Sequence, residues 1–147
     1  MQIVKYPNKI LHQKLKEVKE ITLEIKGLIS AMRQKMVESQ GVGLAANQVG
    51  QDLAIFVIDK KLAEENGVFD SYINPEITEY SKDVTEMEEG CLSLPEYWAP
   101  VSRSKKIKLK ALDENGNKIK IKARGFLARV IQHETDHLKG LLIKDIK

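Results

Sequence analysis

Residues 129–140 read RVIQHETDHLKG and hold two of the three histidines in the chain. On a helix, His133 and His137 are one turn apart and share a face, so both imidazoles can reach a single ion. Glu134 flanks the same face without having to be a ligand. This is the logic of H-E-x-x-H, in which two histidines bind a metal and the glutamate handles the proton of a metal-bound water. A surface or core helix could hold the same five residues by coincidence. With so few histidines, two at ligand spacing around a glutamate weigh against that.

A catalytic metal of this kind takes three protein ligands and keeps a fourth position open. One extended motif, H-E-x-x-H-x-x-G-x-x-H, is excluded, because Gly140 fits but Ile143 stands where the last histidine belongs. A glutamate on a following helix is also excluded, because only LKGLLIKDIK remains after His137. The third ligand must come from upstream. His12 and Cys91 lead, with several carboxylates behind them. A thiolate binds a transition metal strongly. Cys91, the only cysteine, lies in EEGCLSLPE. The charges of Glu88 and Glu89 disfavour a free thiolate, whereas a bound dication deprotonates the thiol. Cys91 therefore suits a ligand better than a nucleophile.

The elements that must position these groups can be read in outline. Residues 22–40 predict a helix with Ile25, Leu28, Ile29, Met32 and Met36 on one stripe, Thr22 at its start and Gly41 at its end. GVGLAANQVG (41–50) predicts a loop or irregular strand that lets backbone approach something closely. It is not a dinucleotide fingerprint, since the glycine spacing is wrong and a helix precedes it. LAIFVID (53–59) is of strand type, and extended pieces are expected around Asn74–Pro75 and over 84–88. KIKLKALDENGNKIKIKA (106–123) predicts a hairpin turning at Asn115–Gly116. A last helix should run from Phe126 to Lys139, between Gly125 and a left-handed cap at Gly140. Helices mixed with hairpins, and no βαβ rhythm, indicate an α+β fold.

Composition narrows the function classes. A chain of 147 residues, 42% hydrophobic and 31% charged, fits one globular domain over 1–147. The net charge of +3, with lysine spread along the chain, gives no reason to expect nucleic-acid binding. No apolar run reaches membrane-spanning length, and MQIVKYPNKILHQKL is too polar for a signal peptide. One cysteine forbids an intrachain disulfide and suits a reducing, cytoplasm-like compartment.

Three blocks occur in order: GVGLAANQ (41–48), EGCLS (89–93) and QHETDH (132–137). Together they resemble the peptide deformylase family, whose patterns are G-Φ-G-Φ-A-A-x-Q, E-G-C-L-S and Q-H-E-x-D-H, with Φ apolar. The similarity runs from IVKYPNKIL to the end of the chain. The resemblance implies one divalent metal on Cys91, His133 and His137, with Fe²⁺ expected natively and Zn²⁺, Ni²⁺ or Co²⁺ as alternatives. It implies hydrolysis of the N-formyl group from the formylmethionine of nascent polypeptides, releasing formate. Metal-bound water would attack the formyl carbon with Glu134 as general base and acid. Gln48 and the Leu92 backbone N–H would form the oxyanion hole. By the same resemblance Val42, Gly43 and Gly90 line the peptide groove, and Glu89 pairs with Arg103 beside the site. Phe126, Arg129 (through its aliphatic stem), Val130 and His133 form the methionine pocket. Asp136 orients the histidine helix.

Departures from the family pattern are few. Asn47 occupies a variable position of the first block. Trp98 stands where several bacterial relatives carry an arginine near the substrate entrance, so peptide preference is expected to differ. The chain stops ten residues after His137, where many bacterial relatives continue into a helix that helps them meet the ribosome. Ribosome contact by that route is therefore expected to be weak, as in a phage-encoded or reduced member. A monomer in the bacterial or phage-infected host cytoplasm is expected, with formylmethionyl peptides as partners and no membrane binding. Two other readings share these residues. One is a different amidase or peptidase on the same Cys–His–His site. The other is a binding module with a structural metal completed by His12.

Overall fold

The computed structural model describes residues 1–146. Helix α1 spans Leu23–Glu38, and the Thr22 hydroxyl accepts from the Ile25 N–H at 3.2 Å to start it. At its end the Gly41 N–H donates to Met36 O and the Gln40 N–H to Val37 O. That paired closure places the left-handed residue at Gln40 (φ 58°) rather than at Gly41. Gly41 instead packs closely on the Leu92 side chain: a Cβ there would sit 2.9 Å from Leu92 Cδ1, which would have to shift.

Strands β1 (Gly43–Ala45) and β2 (Ile55–Ile58) follow, separated by a 3-10 turn over Ala46–Val49. A short helix α2 (Lys60–Glu65) leads to β3 (Ser71–Tyr80). Strands β4 (Val84–Cys91) and β5 (Leu94–Ser104) form a hairpin that is a sheet of its own. Strands β6 (Lys106–Leu112) and β7 (Lys118–Arg124) complete a five-stranded antiparallel sheet in the order β1-β2-β3-β6-β7. Helix α3 (Gly125–Leu138) comes last. The α+β expectation agrees with this architecture. Helix α2 and strand β5 were not anticipated. Strand β5 carries Pro95 and Pro100, which a central strand would not tolerate, and a two-stranded sheet has free edges that do.

Strand β2 explains its own composition. Phe56 and Ile58 pack on the α3 side with Leu127, Ala128 and Ile131, while Ile55 and Val57 pack on the α1 side with Ile29, Met32 and Met36. Both faces are covered, so every position is apolar and fully buried. Burying each such side chain contributes about 1.5–3 kcal/mol. The β6–β7 hairpin is covered on one face only. Ile107, Leu109, Ala111 and Ala123 point into the core and the residues between them are charged. Its turn is longer than a two-residue loop: Asp113 caps the N–H groups of Asn115 and Asn117, and Gly116 takes the left-handed conformation at φ 83°.

Gly140 ends α3 in the left-handed conformation (φ 82°), as its spacing implied. It also packs against backbone, since a Cβ there would lie 2.7 Å from His12 C and Gln13 N. The end of the histidine helix is thereby docked on the N-terminal segment, where Leu15 N–H donates to Leu138 O. Gly140→Ala should lower the free energy of unfolding by more than about 1 kcal/mol, read as a drop in urea midpoint. An unchanged midpoint would mean that this contact does not hold the helix.

Candidate metal centre

Two elements deliver the three candidate ligands. Cys91 comes from the end of β4, and His133 and His137 come from successive turns of α3. One ligand atom from each lies within 4.8 Å of the others. His137 Nε2 is 3.4 Å from Cys91 Sγ and 3.2 Å from His133 Nε2. Ligands held tetrahedrally at about 2.0–2.3 Å from an ion are roughly 3.3–3.6 Å apart, so the spacing fits a metal. His133 Nδ1 meets Glu89 Oε1 at 2.9 Å, which turns the Nε2 lone pair of His133 toward the cluster. The donor set, one sulfur and two imidazoles, suits zinc or iron. His12 lies elsewhere, with its ring edge-on to Tyr6 at 5.6 Å.

Burial and neighbouring charges shift the titratable groups of this spot in different directions. Burial alone would lower the His133 pKa, but hydrogen bonds to Cys91 and Glu89 and the charge of Glu134 raise it to about 10. His137 is held well below its ordinary value, first by burial and then by the neighbouring charges of His133 and Arg103. Glu134 is almost fully buried, and desolvation lifts it to about 7 against the pull of His133 and Arg103. Its Oε1 has no hydrogen-bond partner. Its other oxygen lies against β1, where a Cβ on Gly43 would come within 2.5 Å of Oε2. A buried carboxyl near neutrality with a free oxygen is suited to proton transfer.

Gln48 follows β1 in the 3-10 turn. Its Oε1 accepts from the Ala45 N–H at 2.9 Å, which fixes the amide. Its Nε2 then faces Ser93 Oγ at 3.1 Å and Cys91 Sγ at 3.6 Å. Leu92 and Ser93 form the turn between β4 and β5 next to Cys91. Gln48, Cys91, Leu92, His133 and Glu134 border one cavity of about 510 Å³. Val42, Gly43, Glu89, Gly90, Phe126, Arg129 and Val130 border it too. Trp98 is 68% exposed on its rim, with its indole lying over Gly90 so closely that a Cβ there would be 2.7 Å away.

Several contacts go beyond the sequence reading. The Glu89–Arg103 pair is present, with two hydrogen bonds of 2.9 Å, but Glu89 also accepts from Arg129 Nη1. Arg129 is buried and donates as well to Val101 O and Thr85 O, so its guanidinium, and not only its stem, has a task. Asp136 accepts from Arg103. Asn47, read above as a variable position, is fully buried and donates to His137 O at 2.8 Å. Gln132 grips β5 through both Ser104 N and Ser104 O. A second amide at 47, beside Gln48 and after an apolar run, was the available signal for the Asn47 contact. Nothing local marks Arg129.

Burial opposes the Glu89 charge, but hydrogen bonds from His133 and Arg103 outweigh it and hold the carboxyl well below the usual range. A depressed carboxylate stabilises the fold fully above its unfolded value of about 4.3, and that stability is lost as pH falls toward the folded value. The difference in Tm between the native protein and Glu89→Gln should therefore be constant near neutrality and shrink below about pH 4. A difference that does not change with pH would contradict this.

The polypeptide deformylase family model matches residues 1–146. Peptide deformylase 1 of Clostridium perfringens is 51% identical over 138 residues, covering 94% of this chain and 91% of that protein. The peptide deformylase of Dictyoglomus turgidum is 47% identical, covering 99% and 91%. The crystal structure of peptide deformylase from Thermotoga maritima superposes with a TM-score of 0.92 at 38% identity, covering 99% and 95%. That of Synechococcus elongatus in complex with actinonin gives a TM-score of 0.92 at 36% identity, covering 100% and 79%. By these matches along its length, the chain belongs to the polypeptide deformylase family of hydrolases.

Proposed function

We propose that this enzyme removes the N-formyl group from the amino-terminal formylmethionine of nascent polypeptides, releasing formate. One divalent metal would be held by Cys91, His133 and His137, with iron as the native ion and zinc, nickel or cobalt as substitutes. The observation that carries the reading is Glu134: a buried carboxyl with one unpartnered oxygen, in the wall of a cleft that Cys91 and His133 also line, beside the three converging ligand atoms. When bound, the ion acidifies a water and polarises the formyl carbonyl.

The residues of the chain do the rest. Glu134 takes up a proton from the attacking water and passes it to the leaving amine. Its elevated pKa of about 7 lets it both accept and release near neutrality. Gln48 Nε2 and the Leu92 N–H donate to the developing oxyanion. The Ala45 N–H on Oε1 keeps the Gln48 amide from flipping, so the donor is preorganised. Strand β1 is the edge of its sheet, so Val42 and Gly43 can pair with an extended peptide. Phe126, Val130 and His133 offer the methionine side chain an apolar wall, with Glu89, Gly90 and Arg129 fixing its far side. Residues 1–147 act as one catalytic domain, monomeric and cytoplasmic in this reading.

The test is formate release from formyl-Met-Ala-Ser by anaerobically prepared, iron- or nickel-loaded protein. Turnover should stop on chelation and return with metal. Glu134→Gln should keep its metal and lose about 10²–10⁴ in kcat. Gln48→Ala should cost about 10²–10³. Cys91→Ser should lose metal or activity. Gly43→Ala, which pushes on Oε2, should lower kcat with metal content intact. Turnover that ignores chelator, or native turnover in Glu134→Gln, would remove this mechanism.

A further inference from the structure

The β6–β7 hairpin carries a second built feature, on the sheet face away from α3. Its sequence holds seven basic residues: Lys106, Lys108, Lys110, Lys118, Lys120, Lys122 and Arg124. All seven are exposed. The strand register sets Lys106 opposite Arg124, Lys108 opposite Lys122 and Lys110 opposite Lys120. Their alternate neighbours Ile107, Leu109, Ala111 and Ala123 are in the core, so the basic side chains share the outer face. Like charges directly opposite one another destabilise a sheet. Glu79 and Glu76 on β3 offset Lys108 and Lys110, at 3.1 and 2.9 Å. Among the described residues, Lys106, Lys118, Lys120, Lys122 and Arg124 have no acidic partner.

We propose that this cationic ladder is a docking surface for the phosphate backbone of double-helical RNA. Two features select that partner. Cations on one strand repeat roughly every 7 Å, and the adjacent strand adds a second row about 5 Å away, a two-row lattice of point charges suited to a polyanion. The face also presents lysines rather than aromatic rings, so it lacks the stacking platforms that single-stranded RNA binders use. Recognition through phosphates and overall shape, without base readout, is what duplex RNA requires. The ladder is turned away from the helix that bears the histidines, so a docked RNA leaves the cleft open. Lysines that look dispersed along the sequence are gathered by the strand register, which revises the reading of the net charge.

The experiment is fluorescence anisotropy of a labelled RNA duplex titrated with the metal-loaded protein at several salt concentrations, beside the variant K120Q/K122Q/R124Q. If five unpaired cations displace about 0.9 counterion each, log K should fall with log salt at a slope of about −4 to −5. The variant should bind at least tenfold more weakly with a slope nearer −2, while its deformylation of formyl-Met-Ala-Ser stays native. Native activity also shows that the variant is folded. Absence of binding at low salt would overturn the proposal, as would equal binding by the variant. Tighter binding to single-stranded RNA, or to phosphatidylglycerol vesicles, would overturn the assignment to duplex RNA.

Discussion

Glu89 is the point on which the rest of the site depends. It is a buried carboxylate on β4 held by Arg103 from β5 and by Arg129 and His133 from α3. Those contacts tie the hairpin that delivers Cys91 to the helix that delivers the histidines. A buried charge network of this kind gives little net stability compared with apolar packing, but removing one member costs about 3–5 kcal/mol. It therefore acts as a specification of geometry. The β4–β5 hairpin belongs to a separate two-stranded sheet, so strand pairing with the large sheet cannot fix its place.

Close approach of backbone is the second constraint, and it follows from the first. With α3 pinned by Glu89 and by Asn47, which donates to its last turn, the helix lies hard against β1. Glu134 then occupies the space that a side chain at 43 would need. The small residues of GVGLAANQ are therefore a record of how near the helix comes, and the same proximity desolvates Glu134 and raises its pKa. Packing and acid–base chemistry at this position have one cause.

What the sequence made legible was whatever is encoded locally. The i, i+4 histidines share one helical face by elementary geometry. The caps at Thr22 and Gly140 and the alternation in β6 and β7 are local as well. The choice of Cys91 over His12 needed either the family resemblance or the fold, because the ligand comes from a segment about 40 residues away. Arg129 was harder still. Its stem borders the cavity, but its guanidinium is engaged on the far side with Glu89, Thr85 and Val101, a contact that no periodicity announces. Asn47 shows the same limit from the other direction. Its role is a hydrogen bond to a carbonyl 90 positions later, and only the docking of α3 creates it.

Charge illustrates the difference between composition and placement most plainly. A net +3 over 147 residues describes a weak average field. Antiparallel pairing with a period of two converts alternate lysines on two strands into adjacent rows on one surface. The apolar residues that force this alternation are core residues packed beneath α3, so the hairpin cannot present its lysines elsewhere without exposing Ile107 and Leu109. The same inward pattern that supports the histidine helix thus also sets the outward pattern of positive charge. The two faces of one sheet are coupled through register, and a one-residue slip would undo both.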